Sequence, residues 1–464
     1  MTTYLSPGIY VKEVFSGAVS IAGVGTSTAG FIGIVTPETP SGSGAPPTDS
    51  HWLQKVVGEV VGKGDGTKKE FTLSSYLADL KVADIKIKWG DIDQTTAANY
   101  TVKNDPKKQV STIVFTAPPA TDQQITADYY RVSAAVAGEV QLCTNFTEFK
   151  KYFGDFSNVE GQSNLAHAIY GFFRNGGTRC FVTWVANESK IDGALEDFAA
   201  IDEIAIVAAP GSTSRAVLEK LSSHCQDLGD RVAIFDAPQD ADPTKFKPGE
   251  DKLPGKTDYA ALYYPWIQVL DPATNQNKYV PPSGHIAGIY ARVDAQRGVH
   301  KAPANEAILG AIGLQVALTR AKQDGLKPQG VNCIRNLNGN ITVWGTRTWG
   351  GDANGEFKYV NIRRLFNYLR ESIDEGTQWV VFEPNSPELW ARVRRSVTAF
   401  LTMVWRSGAL FGATPEEAFF VQCDRETNPP EVRDAGQLIV KIGVAVVKPA
   451  EFVIFELSQW SGGK

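Results

Sequence analysis

The residues that could do chemistry are few and scattered. Gly62-Lys63-Gly64-Asp65-Gly66-Thr67-Lys68 has the outline of a phosphate loop. A phosphate cradle, however, needs GxxxxGK[ST] spacing between a strand and a helix, so that backbone N–H groups and the lysine converge on one anion. That spacing is absent and β-forming residues follow, so the segment reads as a hairpin turn. His51, His167, His224, His285 and His300 form no HExxH and no pair at helical spacing. A metal needs convergent ligands, and nothing local supplies them. Gly25-Thr26-Ser27-Thr28-Ala29 lacks the second glycine of a nucleophile elbow. Asp91-Ile92-Asp93 opens like a calcium loop but has Thr96 where such a loop needs glycine, so it reads as a turn. Glu416-Glu417 sits where carboxylates favour a helix N-terminus. The expectation is no catalytic constellation, no cofactor and no metal.

The elements around these residues are those of a folded, multidomain chain. At 464 residues the soft prior is about three domains. Hydrophobic residues make up 43% and charged residues 21%, which excludes a disordered chain, a collagen and a coiled-coil rod. A net charge of −5 leaves no dominant electropositive footprint for nucleic acid. Five widely spaced cysteines (Cys143, Cys180, Cys225, Cys333, Cys423) with no CxxC argue against zinc ribbons, redox pairs and a secreted disulfide framework. The MTTYLSPG start lacks the basic region of a signal peptide, and no apolar run approaches the ~18 residues that span a bilayer. These features predict a soluble chain made in a reducing cytoplasm, without a membrane span.

Residues 1–20 read as an extended arm, and 29–35 (AGFIGIV) as a short buried strand. The run TPETPSGSGAPPT marks a linker. Residues 49–135 then change character, with strands expected at 56–61, 70–73, 85–89, 100–102, 113–116 and 125–130, a small all-β domain inserted into another. From 138 onward helical and strand patterns alternate. Asn145 with Glu148 caps a helix, a second helix ends at Asn175-Gly176-Gly177, and strands fall at 181–185, 204–208 and 232–235. Residues 240–256 read as loop. The four-residue spacing of Ile308, Ile312 and Val316 predicts a long helix over 304–320. A helix over 360–373 and a strand at 379–383 follow, then a helix opened by Ser386-Pro387 and running to about 407. Thr414-Pro415-Glu416-Glu417 is another capping signal, and 438–447 and 451–460 read as extended.

Two surfaces stand out. In the helix after Pro387, Leu389, Val393, Val397, Phe400 and Val404 form an apolar stripe, while Arg392, Arg395, Ala399, Thr402 and Arg406 share another face. That basic face is either a solvated side or a dock for an acidic partner. Phe452-Val453-Ile454-Phe455 puts apolar side chains on both faces of an extended segment, either a central strand of this chain or an addition to a neighbour's sheet. Ile9 to Val14 poses the same choice.

YLSPGIYVKEV at 4–14 and GVGTSTAGFIG at 23–33 resemble the amino end of contractile tail sheath proteins. The resemblance continues through NLAHAIYGFFRNGGTRC (164–180), PSGHIAGIYARVDAQRGVHKAPAN (282–305), RRLFNY (363–368), FEPNSP (382–387), LWARVRR (389–395), FGATPEEAFF (411–420) and PAEFVIF (449–455). It covers residues 1–40 and 136–464, and the departure is the insert at 41–135. It implies an α/β (α+β) multidomain fold: an arm at 1–20, a middle domain from 21–40 plus 136–350, a β-rich insert at 41–135 on the outer surface, a C-terminal core at 351–448 and an arm strand at 449–464. The implied function is that of a non-enzymatic sheath subunit, in hexameric rings stacked helically around an inner tube on a baseplate, with a terminator or cap. Ile9, Tyr10, Val11 and Val14, with Phe452, Val453, Ile454 and Phe455, are then the arm strands. Arg392, Arg395 and Arg406 are expected to face the tube, with Arg363 and Arg364 as second choice. A phage tail and a bacterial phage-tail-like injection system stay open as settings. Outside the family, a hydrolase with a β-rich binding insert and a carbohydrate-binding module at 49–135 are the competing readings.

Overall fold

The structure, a computed structural model, describes residues 20–35, 53–73, 85–90, 92–94, 99–105, 110–132, 135–157, 160–240, 242–250, 253–452 and 454. The chain divides into two compact units, Gly25–Asn367 and Met1–Val24 with Tyr368–Lys464.

In the larger unit, β1 (Ala29–Ile34) is followed by the insert strands β2 (Leu53–Lys63), β3 (Glu70–Thr72), β4 (Lys86–Trp89), β5 (Ile92–Gln94), β6 (Tyr100–Asp105), β7 (Val110–Phe115) and β8 (Gln124–Val132). The body resumes with β9 (Gln141–Cys143), α1 (Phe146–Phe153), α2 (Glu160–Arg174), β10 (Cys180–Val185), α3 (Ile191–Ala199), β11 (Ile206–Ala208), α4 (Arg215–Leu228) and β12 (Val232–Asp236). It continues with β13 (Ala260–Tyr264), β14 (Ile267–Asp271), β15 (Gln276–Val280), α5 (Ser283–Arg297), β16 (Glu306–Ala307), β17 (Ala311–Leu314), α6 (Arg320–Leu326), β18 (Val331–Leu337) and β19 (Asn340–Trp344).

Among the described residues the main sheet runs β16-β19-β18-β13-β12-β11-β1-β10-β9. The six strands from β18 to β10 are mutually parallel, with antiparallel strands at both edges. Helices cover both faces, which is why β11 and β12 are apolar almost without interruption. Alternate side chains go to opposite cores: Phe31, Val182 and Ile234 to the side of α1, α2 and α5, and Ile32, Val207 and Phe235 to the side of α3, α4 and α6. The NLAHAIYGFFRNGG and SGHIAGIY blocks are the two halves of one helix pair. A Cβ at Gly284 would collide with the backbone of Ala168, one at Gly288 with the carbonyl of Phe172, and one at Gly171 with the His285 ring. Only glycine lets α2 and α5 approach this closely.

The insert has a core of its own around Phe71, Ile87, Tyr100, Ile113, Phe115 and Tyr129, between the sheets β2-β8-β4-β5 and β3-β7-β6. All six strands expected there form. Gly64 to Thr67 is not a hairpin turn: β2 pairs with β8 and β3 with β7, so the turn carries the chain from one sheet to the other. Asp65 stabilises it by accepting from Thr67 N and Lys68 N, which holds its carboxyl below the usual range.

The smaller unit contains the last turns of α7 (Val360–Thr377), then α8 (Pro387–Arg406), α9 (Pro415–Ala418), β20 (Phe419–Gln422), α10 (Pro430–Asp434) and β21 (Lys441–Val444). Residues 20–24 pack here, with Ile21 against Gly376 and Val24 N donating to Ser372 Oγ.

Three further local expectations are overturned. Residues 304–320 are not a helix: β16, β17 and a left-handed Gly310 (φ 92°) stand there, with Ile308 buried but Ile312 exposed. Two glycines weaken the helix and pairing with β14 and β19 supplies the alternative. Residues 379–383 are not a strand: Trp379 and Val380 belong to a 3₁₀ turn at Gln378–Val380, and turn and bend residues follow it to Glu383. In the segment 438–447, only Lys441–Val444 is a strand.

His167 and His285 lie buried on α2 and α5, with Asp271 3.6 Å from His167 Nε2 and with Lys278 and Arg174 as the nearby cations. Burial lowers them to about 4 and about 3. Both bind a proton more readily when unfolded, so their contribution to stability is full above about pH 6.5 and lost as pH falls toward those values. Asp236, raised to about 6 by burial, opposes one of them. His224, lowered to about 4 chiefly by burial, acts with the two histidines. The unfolding free energy from urea denaturation should therefore fall between pH 7 and 4.5, by on the order of 2–3 kcal/mol per pH unit, and His285→Gln should flatten the slope.

Candidate assembly site

In a doubly wound sheet the place to look for a ligand is the carboxyl end of the parallel strands, beside a helix N-terminus. Here that position is filled by the protein itself. Asp236, at the end of β12, accepts from Ser283 N (2.8 Å) and Ser283 Oγ (2.6 Å) at the start of α5, and from Gly211 N (3.0 Å). Among the described residues no cluster of three His, Cys, Asp or Glu is arranged to hold a metal, and no helix is long and apolar enough to cross a membrane.

The smaller unit carries the features that invite a partner. Ser386 Oγ accepts from Leu389 N and Pro387 occupies the first helical position, so α8 starts where the sequence puts it. Leu389, Val393, Val397, Phe400 and Val404 are buried. On the other face Arg395 and Arg406 are exposed, and half-buried Arg392 pairs with Glu383 (3.4 Å) and stacks on Trp379 (4.5 Å).

Beside α8 runs an apolar groove of about 570 Å³, walled by Leu389, Val393 and Val397 on one side and Leu438, Val440 and Ile442 on the other. The 438–442 side chains alternate, as along one face of a strand. Its backbone is only partly satisfied. The Asn428 carboxamide donates to Ile439 O (3.0 Å) and accepts from Ile439 N (2.7 Å), replacing a neighbouring strand on that edge. The backbone groups of Leu438 and Val440 point to the opposite edge, where they have no partner among the described residues. At the rim, Phe382 has φ 68° and is fully exposed (103%), a conformation costing about 1–3 kcal/mol in a bulky residue. Phe452 and Ile454 are also exposed, while Ile9, Tyr10, Val11, Val14, Val453 and Phe455 lie outside the described residues.

Arg363 and Arg364 are corrected: they do not face outward. Both are buried in the larger unit. Arg363 is ion-paired with Asp258 and stacked on Phe357 (3.6 Å). Arg364 grips Asp294 with both terminal nitrogens (2.9 and 2.5 Å) and donates to Thr26 O. Their charge is consumed inside the fold, leaving nothing to offer a partner.

The sequence model of the phage tail sheath protein central domain matches residues 186–349, and that of the phage tail sheath C-terminal domain matches 352–459, together more than half of the chain. The chain belongs to the phage tail sheath family. The tail sheath protein of Vibrio phage KVP40 is 30% identical over 218 residues, 46% of this chain and 31% of that one. That of Burkholderia phage BcepMu is 27% identical over 264 residues, 54% of each chain. The chain thus spans about half the length, or less, of these two curated relatives. The helical sheath of the anti-feeding prophage in its contracted state aligns over 98% of this chain and 100% of that one, with a TM-score of 0.65 and 24% identity. The contracted PVC sheath complex, an extracellular contractile injection system, gives 0.63 over 99% of both chains, also at 24% identity. These likenesses establish the α/β multidomain sheath fold.

The strain at Phe382 gives a direct check. Phe382→Gly should leave the folded subunit as stable or up to about 1 kcal/mol more stable by urea denaturation, because the ring makes no buried contact and glycine accepts the left-handed backbone freely.

Proposed function

We propose that this chain is a structural, non-enzymatic subunit of a contractile sheath, polymerising in hexameric rings stacked helically around an inner tube on a baseplate, under a terminator or cap. The observation that carries this reading is the extended backbone edge at Leu438 and Val440, without a partner among the described residues, beside an apolar groove. Such a site suits an extended segment that brings backbone hydrogen bonds and an apolar side chain at every second residue. Ile9 to Val14 and Phe452 to Phe455 of neighbouring subunits are that kind of segment. Donor and acceptor lie at different places on one chain, so the contact is heterologous and generates an open helical polymer.

Two packings of such subunits, the higher-energy one trapped by assembly, would store the work of contraction without nucleotide hydrolysis. The grip on the tube must then be releasable. Exposed ion pairs worth under about 1 kcal/mol each meet that need, and Arg392, Arg395 and Arg406 are the proposed tube contacts. The insert is proposed to decorate the outer surface, since its outward positions are largely charged or polar, Lys86, Lys88 and Asp93 on one sheet and Glu70 and Lys103 on the other. The subunit would be made in a bacterial cytoplasm and act in a phage tail or a phage-tail-like particle.

Negative-stain electron microscopy of the purified chain, alone and co-expressed with the neighbouring tube gene, tests the reading: striated hollow tubes are expected in at least one case, and dispersed particles in both would overturn it. Deleting residues 1–20 should leave a folded subunit that no longer assembles, and long tubes from that truncation would remove the arm assignment. Charge reversal at Arg392 and Arg395 together should abolish assembly on the tube, whereas normal extended sheaths from that variant would exclude these residues as tube contacts.

A further inference from the structure

We propose that Cys143 and Cys180 form an oxidation site, closing to a cross-strand disulfide that staples β9 to β10. The two residues are direct partners in the antiparallel register of these strands. Directly opposed residues hold their Cβ atoms about 4.5–5.5 Å apart, close to the spacing a disulfide takes up with small backbone adjustment. Both side chains point into the same apolar cluster and both thiols are free in this structure. The other cysteines are elsewhere: Cys225 and Cys333 belong to the cluster on the opposite face of the sheet, and Cys423 to the smaller unit. The register therefore selects one pairing.

The reaction is a two-electron oxidation. Each thiol gives up a proton and an electron, one S–S bond forms, and an azo oxidant such as diamide takes up both protons and both electrons to become a hydrazine. Burial controls its rate. The Cys143 thiol is pushed up to about 12 and that of Cys180 also far above its ordinary value, so thiolate is scarce while the sheet is closed. Reaction must wait for β9 to open. β9 is a three-residue strand that pairs on one side only among the described residues, the kind of element that opens without global unfolding. Once formed, the bond would enclose α1 and α2 and fix the chain where it returns to the main sheet after the β-rich insert. This inference is independent of the sheath reading.

The test is peptide mapping of the full-length folded protein after diamide treatment, with remaining thiols blocked by N-ethylmaleimide in acid-quenched denaturant. The expected product is ~2 Da lighter and joins tryptic peptides 132–150 and 180–190. That link should exceed any other cysteine pairing by roughly fivefold or more, a preference lost when the chain is oxidised in urea. Recovery of both peptides fully maleimide-labelled at every oxidant concentration would overturn the proposal, as would a link no more abundant than in urea. Cys143→Ser should remove the product and Cys225→Ser should leave it unchanged. The wild-type measurement decides the matter even where the Cys143→Ser variant fails to fold.

Discussion

The larger unit depends on one strand pairing. β1 lies between β10 and β11, parallel to both, so residues 29–34 must meet 180–185 and 206–208 before either core can close. The chain leaves β1 for the β-rich insert and returns to the same sheet only at β9. An excursion of that kind is tolerable when its segment folds on a core of its own, because a self-contained module does not compete for the apolar surface that the main sheet must bury. The separate cluster around Phe115 and Tyr129 meets that condition.

The covering of the main sheet follows from the same constraint. A parallel sheet buried on both faces needs helices on both, and the α2–α5 pair fills one face at a separation only glycine permits. That closeness seals His167 and His285 away from water. Arg364, Asp294 and Thr26 form a second buried polar group, in which each carboxylate oxygen of Asp294 has a donor. Breaking such a pair leaves an uncompensated charge, so it fixes where the start of α7 sits.

The smaller unit follows the opposite logic. Among the described residues its groove, the backbone of Leu438 and Val440 that meets no partner, and the outward ring of Phe382 are costs without return. In the proposed sheath they would be the receiving half of a contact between copies. Stability is concentrated where the chain folds on itself, and unsatisfied surface where another copy is proposed to arrive.

Much of this was legible in the residues. Apolar runs marked β1, β10, β11 and β12, short β-rich segments marked the insert strands, and Asn145 and Ser386 marked helix starts, because these signals act over a few neighbouring positions. The stripe on α8 also followed from spacing alone. Several of the failures share a cause: a partner distant in sequence decided them. Residues 304–320 had helical spacing, yet β14 and β19 offered strand pairing. Gly64 to Thr67 had hairpin chemistry, yet the flanking strands found different neighbours. Arg363 and Arg364 looked like a surface charge pair until Asp258 and Asp294 took them inside. The Cys143–Cys180 register and the groove at Val440 belong to the same class. Sequence determined the local elements and the family, whereas tertiary structure decided which charges are consumed internally and which edges stay open, since burial and strand pairing are properties of segments brought together only by the fold.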